Sequence, residues 1–365
     1  MRLPAWDELD DDQLRVAEHP LDEPLFAAGP PGSGKTVLAV RRAQAVASVP
    51  CRVLIITYNR MLRRAMSLLD ESRHADTTTM HSEFWRDYRR RVGANPPTCS
   101  HDSFEFRWSE VFANVERSGD TGHVYDHLII DEGQDLPAEF FRYARSYIAP
   151  VLSVFADENQ ELSGRGTTLE QIKRAAGLPN PFILATNHRN TREIVAVANH
   201  FHDGRLPVPL VTCSGPGERP RILRSGGVDT ACATVARWYR NRGGSAGVVA
   251  DQNTMVRSVH RELTKLLPDA RVDFYASKAD NENSIHLFAP GVTVLNAKSA
   301  KGQEFDMLFI LELERFLPCR TPSEARTMYM LCSRPRTHLI MVYGPGDLSQ
   351  HALAALPSES LLERA

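Results

Sequence analysis

The octapeptide Gly29-Pro30-Pro31-Gly32-Ser33-Gly34-Lys35-Thr36 constrains this chain more than any other stretch. It fits the phosphate-loop pattern G-x-x-x-x-G-K-[ST], which joins a strand to a helix. Such a loop acts through its backbone. Gly29, Gly32, Ser33 and Gly34 let N–H groups turn inward onto phosphate oxygens, and the following helix offers its positive end. Lys35 then reaches the terminal phosphates of a nucleotide, and the Thr36 hydroxyl is placed to ligate Mg²⁺. The apolar run Pro24–Ala28 reads as a buried strand before the loop, and Val37–Val40 opens a helix after it.

The chain has 365 residues, enough for two or three domains with ample core. Its net charge of −2 announces no global basic field, so any nucleic-acid surface must be local. No apolar run approaches bilayer-spanning length, and the acidic N-terminus has no apolar signal core, so neither a membrane partner nor secretion is expected. The six cysteines are scattered, with no C-x-x-C pair, which fits reduced thiols in a cytoplasmic protein rather than a zinc site.

Short apolar runs alternate with helical patterns, predicting an α/β chain of parallel sheets with covering helices. Expected strands are 51–58, 127–133, 151–157 and 181–186, then 219–224, 246–251, 291–297, 307–313 and 338–344. Asp131 and Glu132 follow the apolar run Leu128–Ile130, at a strand's carboxyl end, where ligands of such sheets sit. An aspartate there suits a magnesium shell, and the adjacent glutamate suits orienting and deprotonating a water.

The run Asp131-Glu132-Gly133-Gln134-Asp135 resembles the DExQD box of superfamily 1 helicases of the UvrD/Rep/PcrA type, and other segments follow in that family's order. Gln13 looks like the adenine-reading glutamine. TYNRMLR (57–63) is similar to the T-x-x-N segment that contacts single-stranded nucleic acid, and TTTMHSEF (77–84) to T-x-H-x-F. FADENQEL (155–162) resembles the GDxxQ box, with Gln160 as its phosphate-sensing glutamine. NHRNTREI (187–194) puts His188 at the adenine-stacking position and Arg189 at a γ-phosphate contact. NAKSAKGQEFD (296–306) contributes Gly302 to the nucleotide site and Glu304 near the ribose. LCSRPR (331–336) makes Arg334 the second arginine.

The resemblance implies two RecA-like domains, 1–185 and 186–345, with ATP in the cleft between them, a short helical insertion at 82–122 and a tail at 346–365. It implies Lys35, Glu132, Gln160, Arg189 and Arg334 as the hydrolytic set. Arginines aimed at a transferring phosphoryl group are worth a factor of about 10³–10⁵ in rate. Single-stranded nucleic acid, DNA favoured over RNA, is the implied track. Its contacts would be Tyr58, Asn59, Arg60, His81, Trp85 and Lys298, with Arg63, Arg64 and Lys301 as further candidate phosphate contacts. For SEFWRDYRRR (82–91) two readings stand side by side: a basic and aromatic strand-binding surface, or an amphipathic helix burying its aromatics.

Several positions depart from the family. Ala156 replaces the first glycine of the GDxxQ box, and no aromatic follows at 162–166 where the family has Y-x-W-R-G. Neither large inserted domain has room. The expectation is therefore a compact ATP-hydrolysing translocase core. The alternative is an ATP-gated interaction module within a larger repair or defence assembly, with a protein partner supplying the missing functions. A small-molecule kinase using the same loop needs neither the acidic box nor the two arginines.

Overall fold

Runs of β-branched and aliphatic residues become parallel strands buried on both faces, as expected where helices cover a sheet. The computed structural model describes residues 3–58, 60–70, 75–99, 105–157, 166–202, 208, 210–212, 215–275, 286 and 289–364. Two compact units divide the chain. Arg2–Gly29 and Gly34–Leu184 form the first, and Pro30–Ser33 and Ala185–Ala365 form the second.

The N-terminal unit runs α1 (Asp11–Ala17), β1 (Leu25–Ala28), α2 (Lys35–Val46), β2 (Val53–Thr57), α3 (Arg60–Leu69), β3 (Asp76–Thr79), α4 (Met80–Val92), α5 (Trp108–Ser118), β4 (His127–Ile130), α6 (Ala138–Tyr143), β5 (Val151–Ala156), α7 (Leu169–Ala176) and β6 (Phe182–Ile183). Its described strands form one parallel sheet in the order β3-β2-β4-β5-β1-β6. Asp10 caps α1, its carboxylate accepting from the Gln13 N–H at 2.8 Å. Thr79 caps α4, and Gly93, in the left-handed region, ends it.

The C-terminal unit runs β7 (Thr186–Asn187), α8 (Arg192–His200), β8 (Leu210–Val211), β9 (Arg221–Arg224), α9 (Val228–Arg242), β10 (Ser245–Ala250), α10 (Asn253–Leu266), β11 (Val272–Tyr275), β12 (Gly291–Asn296), β13 (Phe305–Ile310), α11 (Pro322–Cys332), β14 (Pro335–Tyr343), α12 (Gln350–Ala354) and β15 (Glu363–Arg364). Its main sheet, also parallel, has the order β11-β12-β10-β13-β14-β9-β15.

Numbering the core strands of each unit from one to five gives the same order twice, 3-2-4-5-1: first β1 to β5, then β9, β10, β12, β13 and β14. Both units are RecA-like α/β sheets. No repeat was legible in the residues themselves.

Two expectations change. The strand expected over 181–186 is two short pieces. Phe182–Ile183 extends the first sheet, while Thr186–Asn187 pairs with β8. The chain turns just after, because Asn187 Oδ1 accepts the N–H groups of Arg189 (2.9 Å) and Asn190 (3.1 Å). Residues 346–365, expected as a tail, carry α12 and β15, and Glu363 pairs with Arg221 along β9.

Candidate nucleotide and magnesium site

The phosphate loop leaves β1 and enters α2 at Gly34, which is left-handed (φ 88°) and offers no capping side chain. A Cβ at Gly34 would lie 2.6 Å from Gln13 Nε2, so the loop passes directly under that amide. Gln13 is buried, and its Oε1 accepts from the Asp10 N–H at 3.3 Å, which fixes the amide's direction. Lys35 is also buried. Its Nζ donates to Gly29 O at 2.7 Å and lies 3.7 Å from Asp157 Oδ2.

Thr36 Oγ1 donates to Asp131 Oδ2 at 2.8 Å. The other carboxylate oxygen, Asp131 Oδ1, is buried and takes no hydrogen bond among the described residues. Burial, and next the negative charge of Glu132, push the Asp131 carboxyl up to about 7, against the pull of Thr36 and Lys35. An orphaned buried oxygen costs free energy unless something meets it. A hydroxyl beside a carboxylate is the donor set of a hard cation, so these residues fit Mg²⁺.

Glu132 is buried and held in the left-handed region, φ 57° and ψ 43°, at the start of a 3-10 turn. Gln134 donates to its carboxylate, and Gln134 Oε1 accepts from the Asp157 N–H at 2.8 Å. A glycine at 133 is required by close packing, since a Cβ there would meet Val154 Cγ1 at 2.8 Å. Gln134 and Asp157 were not singled out in the sequence, although both stand inside quoted boxes at strand ends. Gln160 and Asn59 lie outside the described residues.

In the C-terminal unit, Ser33 Oγ donates to Pro30 O at 2.9 Å, and Gly32 O accepts from the His188 N–H at 3.0 Å. His188 itself is exposed, with Nδ1 at 3.1 Å from Thr212 Oγ1. Arg189 pairs with Glu304, and Arg336 approaches the same carboxylate at 3.8 Å. Burial would raise the Glu304 pKa, but Arg189 and Arg336 together hold it below the usual range. Arg189 Nη1 is buried and has no hydrogen-bond partner among the described residues. Arg334 is buried, its Nε donating to Met330 O at 3.0 Å. Gly302 is left-handed (φ 75°), two residues before Glu304.

Of the nucleic-acid candidates, Tyr58 and Lys298 are exposed and Arg60 stands at the start of α3. His81 is half-buried, its ring 5.8 Å from that of Phe106. The segment 82–91 is amphipathic: Glu83, Phe84, Asp87, Tyr88 and Arg91 are buried, while Ser82, Arg86, Arg89 and Arg90 are exposed. Phe84 and Tyr88 are core residues, and Trp85 is half-buried against them. Arg86 pairs with Glu83, Arg90 with Asp87 and Asp120, and Arg91, fully buried, with Asp87 at 2.8 Å. The amphipathic-helix reading is the one the packing bears out for Phe84 and Tyr88. Lys301, expected at a phosphate, is buried.

Among the described residues, no helix is long and apolar enough to cross a membrane. No curated protein matches this chain. Among solved structures, the C-terminal domain of a possible DNA helicase from Lactobacillus plantarum is similar, with 20% identity and a TM-score of 0.35, over 49% of this chain and 99% of that one. Residues 14–165 match the model of a family described as an AAA domain, a stretch that includes the loop at Gly29–Thr36 and the acidic pair at 131–132.

Proposed function

We propose that this chain is a helicase-like motor core that hydrolyses ATP with Mg²⁺ when bound to single-stranded nucleic acid, DNA favoured. The observation that carries the reading is the Thr36–Asp131 hydrogen bond with Asp131 Oδ1 orphaned beside it, next to a strained Glu132 held by Gln134. Lys35 and the loop N–H groups would hold the β- and γ-phosphates. Thr36 and Asp131 would hold Mg²⁺, which when bound offsets charge on those phosphates. Glu132 would orient a water and accept its proton as the water oxygen bonds to the γ-phosphorus and the bond to ADP breaks. Gln13 and His188 would meet the base, and Gly302 and Glu304 the ribose side. Gln160, Arg189 and Arg334 would answer to the γ-phosphate; for Arg189, the partnerless Nη1 supports this.

A second reading, an ATP-gated interaction module, draws support from α4. With Arg86, Arg90 and Arg91 paired to carboxylates and Phe84 and Tyr88 packed inward, the richest expected strand-binding segment is reduced. Phosphate release with and without oligo-dT or oligo-U, beside a Lys35→Ala control, separates the two. A motor is stimulated several-fold and its strand affinity falls steeply with salt. A switch turns over without regard to the oligonucleotide. No turnover in any condition removes the hydrolytic reading.

A further inference from the structure

Arg42 is a buried cation with no place in the chemistry above. It lies two turns into α2 from Lys35, about 10 Å along the axis at 1.5 Å per residue. Burial lowers its pKa to about 10, so its desolvation is substantial and its partners must compensate. Those partners are specific. Nε donates to Ser153 Oγ on β5 at 2.7 Å. Nη1 donates to His19 O at 2.9 Å, and Nη2 to Pro20 O at 2.7 Å and Glu23 O at 3.0 Å.

Three of the four acceptors are carbonyls of the connector that leads from α1 to β1. The fourth is shared: Ser153 Oγ also lies 2.8 Å from His127 Nε2. The His19 ring packs edge-on against Phe182 of β6, 5.5 Å between centroids. One guanidinium thus fastens the connector to the helix that follows the phosphate loop and to the sheet beneath it. At the other end of the connector stands α1, which packs on α2 and carries Gln13 against Gly34.

We propose that Arg42 is a positioning residue for nucleotide-base selection, fixing Gln13 over the phosphate loop without touching the nucleotide. The inference rests on the nucleotide-binding reading above, and on Gln13 facing the base. A lysine at 42 keeps the charge but offers no planar fork for three carbonyls and a hydroxyl. The connector and α1 then gain freedom, while Lys35, Thr36 and Glu132 stay on their own elements. Base discrimination falls and phosphoryl chemistry does not.

The test is steady-state hydrolysis of ATP and GTP by the full chain, for the parent, Arg42→Lys, Gln13→Ala and the double variant. Arg42→Lys is expected to raise KM for ATP about tenfold, the loss of one good hydrogen-bonded contact, with kcat within twofold and the ATP-to-GTP preference reduced to match. Gln13→Ala should reproduce that change, and the double variant should add little to it. Hydrogen exchange over residues 10–24 should quicken in Arg42→Lys and not in Gln13→Ala. A folded Arg42→Lys protein with parental KM and preference overturns the proposal, as does an effect that adds fully to Gln13→Ala. If Arg42→Lys does not fold, Ser153→Ala is the replacement, and unchanged preference with unchanged exchange over 10–24 counts against the proposal equally. A parent that neither binds nor hydrolyses ATP fails the underlying reading instead, and the two failures are told apart by the parent alone.

Discussion

Glu132 and Glu312 share one backbone conformation, φ 57° and ψ 43° against φ 55° and ψ 42°. They are the two non-glycine residues with positive φ among those described. Each stands two residues past the fourth core strand of its sheet, β4 or β13, and each opens a 3-10 turn. The conformation costs on the order of 1–3 kcal/mol for a residue with a Cβ, so its recurrence marks a repeated structural solution. The surroundings differ. Before Glu132 stands Asp131, hydrogen-bonded by Thr36; before Glu312 stands Leu311. Glu312 is neutralised by Arg315 at 2.8 Å, and the loop from β9 to α9, Ser225-Gly226-Gly227, has no lysine.

From that contrast, Glu132→Gln should lower turnover by at least about 10²-fold, the scale of losing a positioned general base, with nucleotide binding retained. Glu312→Gln should leave turnover within twofold. Fluorescent-nucleotide titration beside phosphate release measures both. Equal losses in the two variants would mean the glutamates act only through the fold.

Lys35 and Asp157 make a second pair with a measurable consequence. Asp157 is fully buried, and Lys35 Nζ is 3.7 Å from its Oδ2. Deleting one member of a buried ion pair typically costs about 3–5 kcal/mol, because the other charge is stranded. Lys35→Ala should therefore lose stability in urea as well as turnover, and adding Asp157→Asn should recover part of the stability but none of the turnover. An unchanged urea midpoint in Lys35→Ala would show that other groups already compensate Asp157.

The sheets were legible because their strands are near-continuous apolar runs: Leu25–Ala28, Val53–Thr57 and Val151–Ala156 appear within two residues of expectation. What escaped was the four-residue β11, Val-Asp-Phe-Tyr, and strands that are polar or brief. β3 reads Asp-Thr-Thr-Thr, β15 has two residues, and neither shows apolar periodicity. At the site, Lys35, Thr36, Asp131 and Glu132 could be named from spacing, since the loop's backbone demands fix its sequence. Gln134, Asp157 and Arg42 could not, because their roles depend on which buried groups face them. The 82–91 segment shows the limit most clearly. Arginine spacing alone cannot tell a free basic face from one whose Arg86 and Arg90 are paired to Glu83, Asp87 and Asp120.

Tyr58 is the proposed aromatic contact for a base. It is 39% exposed, directly after β2. Base stacking on such a ring is worth about 1–3 kcal/mol, so Tyr58→Ala should weaken oligo-dT binding by roughly 5- to 150-fold. Basal ATP hydrolysis without oligonucleotide should hold. Trp85→Ala, by contrast, should lower thermal stability first, as its ring is half-buried on the N-terminal core. Fluorescence anisotropy and a thermal melt on both variants decide the assignment. A Tyr58→Ala protein that binds oligo-dT as the parent does removes Tyr58 from the interface.

His127 carries a pH prediction. Burial, and next the Arg42 charge, lower its pKa from 6.5 to about 4, while its Nε2 meets Ser153 Oγ at 2.8 Å. The folded protein thus keeps this ring neutral where the unfolded chain takes up a proton. Between pH 6.5 and 4 the unfolded state binds more protons, so stability is full above the unfolded value and falls as the pH drops. At pH 5 the loss relative to pH 7 from this one group is about 2 kcal/mol. His127→Asn, which cannot take the proton, should start less stable at pH 7 but lose about 2 kcal/mol less between pH 7 and pH 5. Urea unfolding at the two values measures the difference directly. Parallel losses in parent and variant would mean that the buried ring is already protonated in the fold, and that the Arg42–Ser153–His127 cluster tolerates two neighbouring cations.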